Sequence, residues 1–211
     1  MQGITSFRYT DGLKEQLREN LQRFDDQRHT GAAPKAAAVA LTVFAHDDEA
    51  ALIVTRRSPR LEEHSGQWAL PGGRIDEGED ALKAALRELQ EEVNLYLPAD
   101  DILGTLDDYV TRSGYVITPV VVWGEIDDQH LHPNPEEVAS VHAFTFTELC
   151  REDSPNLEDI PESDRQVLSM NYLDDRIYAP TAAMLYQFRE VAILGRATRV
   201  LQYDQPVFAW S

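Results

Sequence analysis

The sequence has a single cysteine and few cations for its length. Cys150 is the only cysteine among 211 residues, so a disulfide within the chain is impossible and a reducing compartment is expected. Lysine and arginine number 19 against 37 aspartates and glutamates, a formal net charge of −18 at pH 7. A surface of that charge repels nucleic-acid backbones and anionic membranes, so neither is expected as a partner. A polyanionic substrate would need local cations, which favours a search for a metal site.

Long apolar runs and nucleotide-binding loops are also missing. The longest apolar candidate, residues 116–123, has the length of a strand and is interrupted by Thr118 and Pro119. It is too short to span a bilayer as a helix, and residues 1–20 lack the apolar core of a signal peptide. The sequence therefore predicts a soluble, cytoplasmic protein. No G-x-x-x-x-G-K-[ST] motif occurs, which excludes a P-loop nucleotidase at the level of motifs.

Hydrophobic periodicity predicts an α/β domain preceded by a helix. Leu13, Leu17 and Leu21 recur at helical spacing, and the Gly/Ala/Pro stretch at residues 30–34 is typical of a linker. Residues 151–164 are acidic and contain two prolines, so a long loop is expected there, either a lid or a solvated excursion. The other predicted elements are strands at 36–44, 51–55, 102–111, 115–124, 138–146 and 206–210, and helices at 79–93 and 181–194, the latter closed by Gly195.

The second predicted helix has three glutamates on one face. Glu88, Glu91 and Glu92 stand at i, i+3 and i+4, spacings that place side chains next to one another. They repel each other and lie near the helix C-terminus, where the helix dipole disfavours anions. A hard divalent cation would offset both effects, because Mg²⁺ binds carboxylate oxygens and bridges to phosphates. The alternative is a solvated acidic face paired with Lys83 and Arg87, which is the common explanation for such charge runs.

The residues before these glutamates favour the metal-site interpretation. A Leu-Pro-Gly-Gly segment ends at Gly73, and its glycines allow close backbone approach and leave a carbonyl free to bind. From Gly73 onward the chain reads GRIDEGEDALKAALRELQEEVNL. This stretch resembles the Nudix box, G-x5-E-x7-R-E-U-x-E-E-x-G-U, where U is a bulky aliphatic residue. Every fixed position matches except the final glycine, which is Asn94, a residue that tolerates the left-handed conformation at helix ends.

A second resemblance covers the flanks of this box. The chain is similar there to coenzyme A pyrophosphatases, whose extra motif is L-L-T-x-R-[SA]-x3-R-x3-G-x3-F-P-G-G, and the spacing of that motif is retained. Apart from the aliphatic exchanges at Ile53 and Val54, two positions differ, because the second arginine of the motif is Glu62 and its phenylalanine is Leu70. The segments that resemble this subfamily are residues 53–58, 66, 71–73, 117–119 and 133–138.

The resemblance implies a fold and a reaction. The expected fold is the Nudix-type α/β/α sandwich, a mixed sheet between helices, with an added N-terminal helix. We therefore divide the chain into an N-terminal helical arm and linker, residues 1–33, and a Nudix hydrolase domain, residues 34–211. The expected reaction is hydrolysis of a phosphoanhydride bond with Mg²⁺ or Mn²⁺ as cofactor. Homodimerisation is plausible for the family, and the N-terminal helix is a candidate to serve it.

Roles for the residues of the box follow from the same resemblance. Metal ligands would be the carboxylates of Glu88 and Glu92 and the carbonyl oxygen of Gly73. Glu91 would be a further ligand or a base that acts through water. Arg87 reaches Glu91 at i+4 and would orient the carboxylate cluster, a role outside the metal's own ligand shell. Glu79 would contact the metal through water.

Residues outside the helix would handle the substrate and the proton. General bases in this family often come from a loop beyond the box, so Glu136 or Glu137 is expected there, and we select Glu137. Arg56 and Arg57 follow a predicted strand and would grip substrate phosphates, with simple solvent exposure as the alternative. Gly72 would allow the substrate to approach the backbone.

Coenzyme A or its thioesters are the leading substrate by this resemblance, with 3′,5′-ADP and 4′-phosphopantetheine as products. One alternative is a Nudix hydrolase of ADP-ribose or dinucleotides, which the departures at Glu62 and Leu70 leave open. The other is a regulatory module that binds a nucleotide without turnover, since a fold alone does not define a function. Metal-dependent phosphate release separates that module from both enzymes.

Other candidate groups have simpler explanations. His130 and His132 form an H-x-H pair without a third ligand at a familiar spacing, so a loop role is expected. Cys150 has no activating neighbour in the sequence and is expected to be inert. His64 is expected to bind either a phosphate or a structural partner, and Trp68 flanks the predicted site.

Overall fold

Two strands that begin as a hairpin and then diverge organise the fold. β1 (Lys35–His46) and β2 (Glu49–Arg57) pair antiparallel only near their turn, where Asp47 has a φ of 52°. Farther from the turn a short segment lies between them, since β3 (Trp68–Ala69) pairs with β2 and β4 (Gly72–Arg74) pairs with β1. The glycine-rich segment of the predicted site, which contains Gly72 and Gly73, therefore lies between β1 and β2 where these two strands diverge.

The main sheet is mixed and has eight strands in the part of the chain that is described. The computed structural model describes residues 7–31, 35–61 and 65–210. The remaining strands of this sheet are β5 (Ile102–Thr105), β6 (Tyr109–Val110), β7 (Tyr115–Trp123) and β8 (Val138–Thr145). Their order is β3-β2-β1-β7-β5, with β4 beside β1, β6 beside β7 and β8 beside β2. Only β1 and β7 run parallel among these pairs.

Helices cover both faces of this sheet. Successive side chains of β1 point to opposite faces, and each face packs against helices in an apolar core of its own. Val39 and Leu41 pack into the core that includes the first and last helices, whereas Ala38 and Ala40 pack against the second helix. The helices are α1 (Asp11–Arg23), α2 (Ala81–Val93), α3 (Phe146–Leu149) and α4 (Thr181–Phe188). Shorter turns lie at Ala99–Asp101, Asp128–His130, Val207–Ala209 and, with π geometry, Arg189–Ile193. The predicted α/β/α sandwich is confirmed.

The N-terminal helix is part of this sandwich. Leu13, Leu17 and Leu21 are buried, and the side-chain amide of Asn20 donates to the carbonyl oxygen of Ala192 at 2.8 Å. Its apolar face is covered by the chain itself, so that face is not available for the expected homodimer contact. The predicted linker lies largely outside the described residues, which exclude 32–34, and the boundary at 33/34 stays a prediction. Across the described ranges, no helix is both long and apolar enough to cross a membrane.

Three predicted elements were wrong. The acidic segment 151–164 is not a loop, because it holds β9 (Asn156–Ile160) and the start of β10 (Ser163–Tyr172), which form a second sheet with β11 (Asp175–Tyr178). Residues 206–210 form a 3-10 turn rather than a strand. The strand predicted at 102–111 is interrupted between β5 and β6, although the hairpin that follows it is present.

Candidate active site

Helix α2 is fixed at both ends by polar contacts. The side chain of Asp80 accepts a hydrogen bond from the backbone N–H of Lys83 and caps the N-terminus. Asn94 ends the helix with φ 54° and ψ 33°, the left-handed conformation predicted for it. Its side-chain amide also donates to the carbonyl oxygen of His132 at 2.7 Å, which ties the helix end to the following loop.

The buried face of α2 contains two carboxylates. Glu88 and Glu92 are buried, with 9% and 4% of their surfaces accessible, beside Leu89 and Val93, whereas Leu82 is 39% exposed. Two carboxylates therefore share with apolar side chains the face that meets the sheet. Burying such groups is unfavourable unless a cation or hydrogen bonds compensate, so their position requires an electrostatic explanation.

Gly72 and Gly73 make room for these carboxylates. A Cβ atom at Gly73 would overlap the carboxylate of Glu88, and one at Gly72 would overlap the backbone of β1 at Ala38 and Val39. Because both residues lack a side chain, β4 can lie close against β1 at Gly72 and close to the carboxylate of Glu88 at Gly73. Steric crowding thus explains why the motif has glycine at both positions.

Burial and neighbouring carboxylates disfavour ionisation of both buried glutamates. Burial, followed by the charge of Glu88, raises the pKa of Glu92 to about 8 against the opposing effect of Arg57. Burial also raises the pKa of Glu88, against hydrogen bonds from Arg87. Both groups would be stabilised as anions by a cation placed between them.

Arg87 connects four groups around the helix. It donates to Glu79 at 3.1 and 3.0 Å, to Glu88 at 2.8 Å and to Glu91 at 3.0 Å. Its remaining nitrogen contact is the carbonyl oxygen of Arg74 at 2.9 Å. The predicted contact between Arg87 and Glu91 is therefore present. Glu79, expected to reach a metal through water, is held by Arg87 in a direct ion pair.

A loop that docks on the end of α2 brings Glu137 to the site. The backbone N–H of Asn134 donates to the carbonyl oxygen of Glu92 at 2.7 Å, and that of His132 donates to Val93. These bonds satisfy carbonyls that every helix leaves unpaired at its C-terminus. Glu137 then lines the same cleft as Glu88 and Glu92. Glu136 points elsewhere and forms an exposed ion pair with Arg60, so the geometry favours Glu137 of the two candidate bases.

The two candidate arginines of β2, Arg56 and Arg57, have different surroundings. Arg57 lines the cleft, and its Nε atom is buried without a hydrogen-bond acceptor among the described residues. Arg56 is occupied elsewhere, since it donates to Asp175 at 3.0 Å and to Gly66 at 2.7 Å. Its guanidinium also stacks over the ring of Trp68, with 4.5 Å to the centroid. The structure thus places Arg57, and not Arg56, where a phosphate could be bound.

The cleft has a volume of about 440 Å³, within the range of small-molecule sites. Sequence reasoning missed much of its lining, because those residues come from distant segments without a motif of their own. Among them are Thr111, Ser113, Tyr115, Pro180, Thr181, Met184, Gln205 and Ala209. Arg74 was also missed, although it lies inside the motif, because the motif does not fix that position. Of the other candidates, Trp68 lines the cleft, His130 pairs with Asp127, and Glu62 and His64 lie outside the described residues.

The donor set of the acidic face fits a hard divalent cation. Carboxylate oxygens of Glu88, Glu91 and Glu92 and the carbonyl of Gly73 are the ligand types that Mg²⁺ and Mn²⁺ accept. Within the described ranges, no three acidic, histidine or cysteine side chains already converge on one point, and Glu91 is turned toward Arg87. Cation binding would therefore require side-chain rotation of Glu91 or completion of the shell by water and substrate oxygens.

The fold is a mixed sheet between helices, and its cleft combines buried carboxylates with an arginine, a lining that suits an anion bound together with a cation. The model of the NUDIX domain matches residues 34–169, more than half of the chain. The chain therefore belongs to the Nudix family and is a Nudix hydrolase, as the motif at Gly73 predicts.

Known proteins that resemble the chain carry related names. An uncharacterized Nudix hydrolase NudL of Pectobacterium atrosepticum is 34% identical over 180 residues, 81% of this chain and 92% of that protein. The mouse mitochondrial coenzyme A diphosphatase NUDT8 is 38% identical over 121 residues, 56% of this chain and 58% of that protein. A crystal structure of a MutT/nudix family protein from Enterococcus faecalis is 16% identical, with a TM-score of 0.49, and the match covers 81% of this chain and 64% of that one.

Proposed function

We propose that the chain hydrolyses the diphosphate bond of coenzyme A or its thioesters, yielding 3′,5′-ADP and 4′-phosphopantetheine. The observation that carries this proposal is the single cleft in which Glu88, Glu92, Glu137, Arg57 and the Gly72-Gly73 backbone meet. Carboxylates and an arginine in one cleft match a metal-bound diphosphate, whose charge must be neutralised before a nucleophile can reach phosphorus.

The choice of coenzyme A is supported by two further points. Residues 53–58 resemble the first part of the extra motif of coenzyme A pyrophosphatases, and this strand carries Arg57, which lines the cleft. A relative named as a mitochondrial coenzyme A diphosphatase is 38% identical over about half of the chain.

Each residue of the cleft has a role in this proposal. Glu88 and Glu92, with Glu91 and the carbonyl of Gly73, would hold Mg²⁺ or Mn²⁺. When bound, such a cation neutralises the diphosphate and makes a coordinated water more acidic. Arg57 binds a non-bridging phosphate oxygen through charge-assisted hydrogen bonds. Arg87 touches no substrate in this scheme and holds Glu79, Glu88 and Glu91 in position.

Glu137 is the proposed general base. Its carboxylate takes a proton from the attacking water, and the water oxygen forms a bond to one phosphorus atom of the diphosphate. The bond between that same phosphorus and the bridging oxygen breaks, and the other phosphate leaves with the bridging oxygen. Each product then carries one phosphate from the cleaved diphosphate, and Glu137 later returns the proton to solvent.

The test is a substrate panel with Mg²⁺ and with Mn²⁺. Coenzyme A, ADP-ribose, diadenosine polyphosphates and nucleoside triphosphates are compared by kcat/KM, and the products are identified by mass. We expect coenzyme A to give the highest kcat/KM and no turnover in the presence of EDTA. A preference for ADP-ribose or a dinucleotide would contradict the proposed substrate and leave the hydrolase class intact.

Glu92→Gln tests the metal site within the same assay. It removes a charge without changing the shape of the side chain, so we expect turnover to fall by orders of magnitude while the thermal unfolding temperature is retained. Glu77→Gln is the matched control, because Glu77 is exposed in the loop before α2 and does not line the cleft. A near-wild-type rate for Glu92→Gln would remove Glu92 from the site.

A further inference from the structure

The C-terminal part of the chain builds one wall of the cleft. The match to the family model ends at residue 169, yet five later residues line the cleft beside the acidic face. We call this surface the C-terminal wall. It consists of Pro180, Thr181, Met184, Gln205 and Ala209.

The charged side chains of the cleft all lie outside the C-terminal wall. They are Arg57, Arg74, Glu88, Glu92 and Glu137, and the segment matched by the family model supplies every one of them. Placing a phosphate against an uncharged wall would leave its charge without a partner, which is unfavourable. The wall therefore fits the uncharged part of a ligand.

Hydrogen bonds on both sides of the cleft hold the wall in place. The side-chain oxygen of Gln205 accepts from the backbone N–H of Arg112 at 2.7 Å, which joins the wall to the turn between β6 and β7. The hydroxyl of Thr181 donates to the carbonyl oxygen of Trp68 at 3.4 Å, which joins it to β3. Gln205 is only 3% exposed, so its orientation is set by packing as well.

The wall offers both apolar surface and hydrogen-bonding groups. Met184 packs into the main apolar core, and Ala209 contributes a small side chain that leaves room in front of it. The Thr181 hydroxyl already donates to Trp68 and the Gln205 oxygen already accepts from Arg112, so these two residues offer a ligand a hydroxyl oxygen that can accept and an amide N–H that can donate. This combination suits an extended chain that alternates methylene groups with amides better than it suits a phosphate or a sugar rich in hydroxyl groups.

We propose that the C-terminal wall binds the uncharged, amide-bearing arm of the substrate and thereby selects diphosphates that carry such an arm. This inference rests on the proposed function, since it assigns the pantetheine half of coenzyme A to the wall and the diphosphate to the acidic face. Substrate choice would then depend on residues outside the segment that defines the family.

The test measures binding of fragments without metal and without turnover. Pantetheine carries the arm and no phosphate, and 3′,5′-ADP carries the nucleotide without the arm. Ala209→Trp fills the space in front of the wall and should weaken pantetheine binding by at least about tenfold in calorimetry. Binding of 3′,5′-ADP should change by less than about twofold. Val207→Trp is the matched control, because Val207 lies on the same short turn, is 47% exposed and does not line the cleft.

Ala209→Leu adds less volume and serves if the tryptophan variant does not fold. The inference is overturned if pantetheine does not bind the wild-type protein, or if both Ala209 variants bind it as tightly as the wild type. It is also overturned if these variants lose 3′,5′-ADP instead, since the wall would then hold the nucleoside. Failure of the proposed function is distinguishable, because it would appear as turnover of another substrate in the panel, whatever pantetheine does.

Discussion

Arg87 and Glu79, eight residues apart, are joined by two hydrogen bonds of 3.1 and 3.0 Å. These bonds hold the pKa of Glu79 below its usual value, so this carboxylate stays ionised. Because Arg87 also contacts Glu88 and Glu91, one guanidinium fixes the entry to α2 and the acidic face together. Only arginine has enough donors in a planar arrangement to do this.

The first prediction concerns this connection. Arg87→Lys keeps the charge but loses most of the five donors, so Glu88 and Glu91 are no longer oriented together. We expect metal affinity and kcat to fall about 10- to 100-fold, with little change in KM once metal is saturating. Mn²⁺ binding by electron paramagnetic resonance and metal-titrated kinetics measure both effects. Lys83→Ala on the exposed face of α2 is the control, and unchanged Mn²⁺ affinity in Arg87→Lys would contradict the prediction.

The site helix could be predicted from the sequence because its signals are local. The Nudix box fixes the spacing of Glu88, Glu91 and Glu92, and a single helix converts that spacing into a common face. The left-handed conformation of Asn94 is likewise a property of one residue at a helix end. Neither feature depends on which distant segments pack nearby, so both were predicted and both are present.

Features that depend on strand faces and distant contacts could not be predicted in the same way. Arg56 and Arg57 are neighbours on a strand, and adjacent strand residues point to opposite sides, so only one of them can reach the cleft. The sequence alone does not say which. The acidic segment 151–164 was misread because its prolines, Pro155 and Pro161, flank β9 rather than interrupt a loop. The residues of β9 are exposed or half-buried, so the strand lacks an apolar pattern.

The second prediction uses the separated arginines as a matched pair. Arg57→Ala removes a cation from the cleft, so we expect kcat/KM for the diphosphate substrate to fall about 10- to 100-fold, mainly through KM. Arg56→Ala removes contacts to Asp175 and Trp68 instead, so we expect lower thermal stability with kcat/KM within about threefold of wild type. Steady-state kinetics and thermal unfolding of both variants separate these effects. Equal losses of kcat/KM in the two variants would contradict the assignment.

The third prediction concerns the end of α2. From the sequence alone, Asn94→Gly is expected to keep or raise stability, because glycine adopts positive φ without strain. The structure adds a hydrogen bond from the Asn94 side chain to His132, which glycine cannot make. We therefore expect a net change of less than about 1 kcal/mol in the free energy of unfolding. Asn94→Ala loses the bond and is strained at positive φ, so it should cost about 1–2 kcal/mol.

Urea denaturation of the two Asn94 variants measures this difference directly. A loss of more than about 2 kcal/mol in Asn94→Gly would show that the bond to His132 contributes more than an ordinary hydrogen bond. Such a result would also connect the stability of the fold to the position of Glu137, since the loop that carries His132 carries Glu137 as well.

The last prediction concerns pH and the segment that supports the C-terminal wall. Asp204 is 2% exposed and accepts hydrogen bonds from Arg112, from the hydroxyl of Ser163 at 2.6 Å and from the backbone N–H of Gln205 at 2.8 Å. The bond from Arg112 is the main reason that the pKa of Asp204 lies far below its ordinary value. A carboxyl whose pKa is lower in the folded state stabilises the fold above its unfolded pKa, which is about 4.

This stabilisation should disappear as the pH falls from about 4 through the pKa of the folded state. Asp204→Asn should therefore lower the free energy of unfolding by about 1–3 kcal/mol at pH 7, and the difference from wild type should shrink steadily below pH 4. Urea denaturation at pH 7, 5 and 3 checks the slope. Asp159→Asn is the control, since Asp159 is exposed on β9 and is not ion-paired among the residues described, and it should show little change at any pH. A difference between Asp204→Asn and wild type that stayed constant down to pH 3 would mean that the shape of the site, rather than the charge of Asp204, supports the wall.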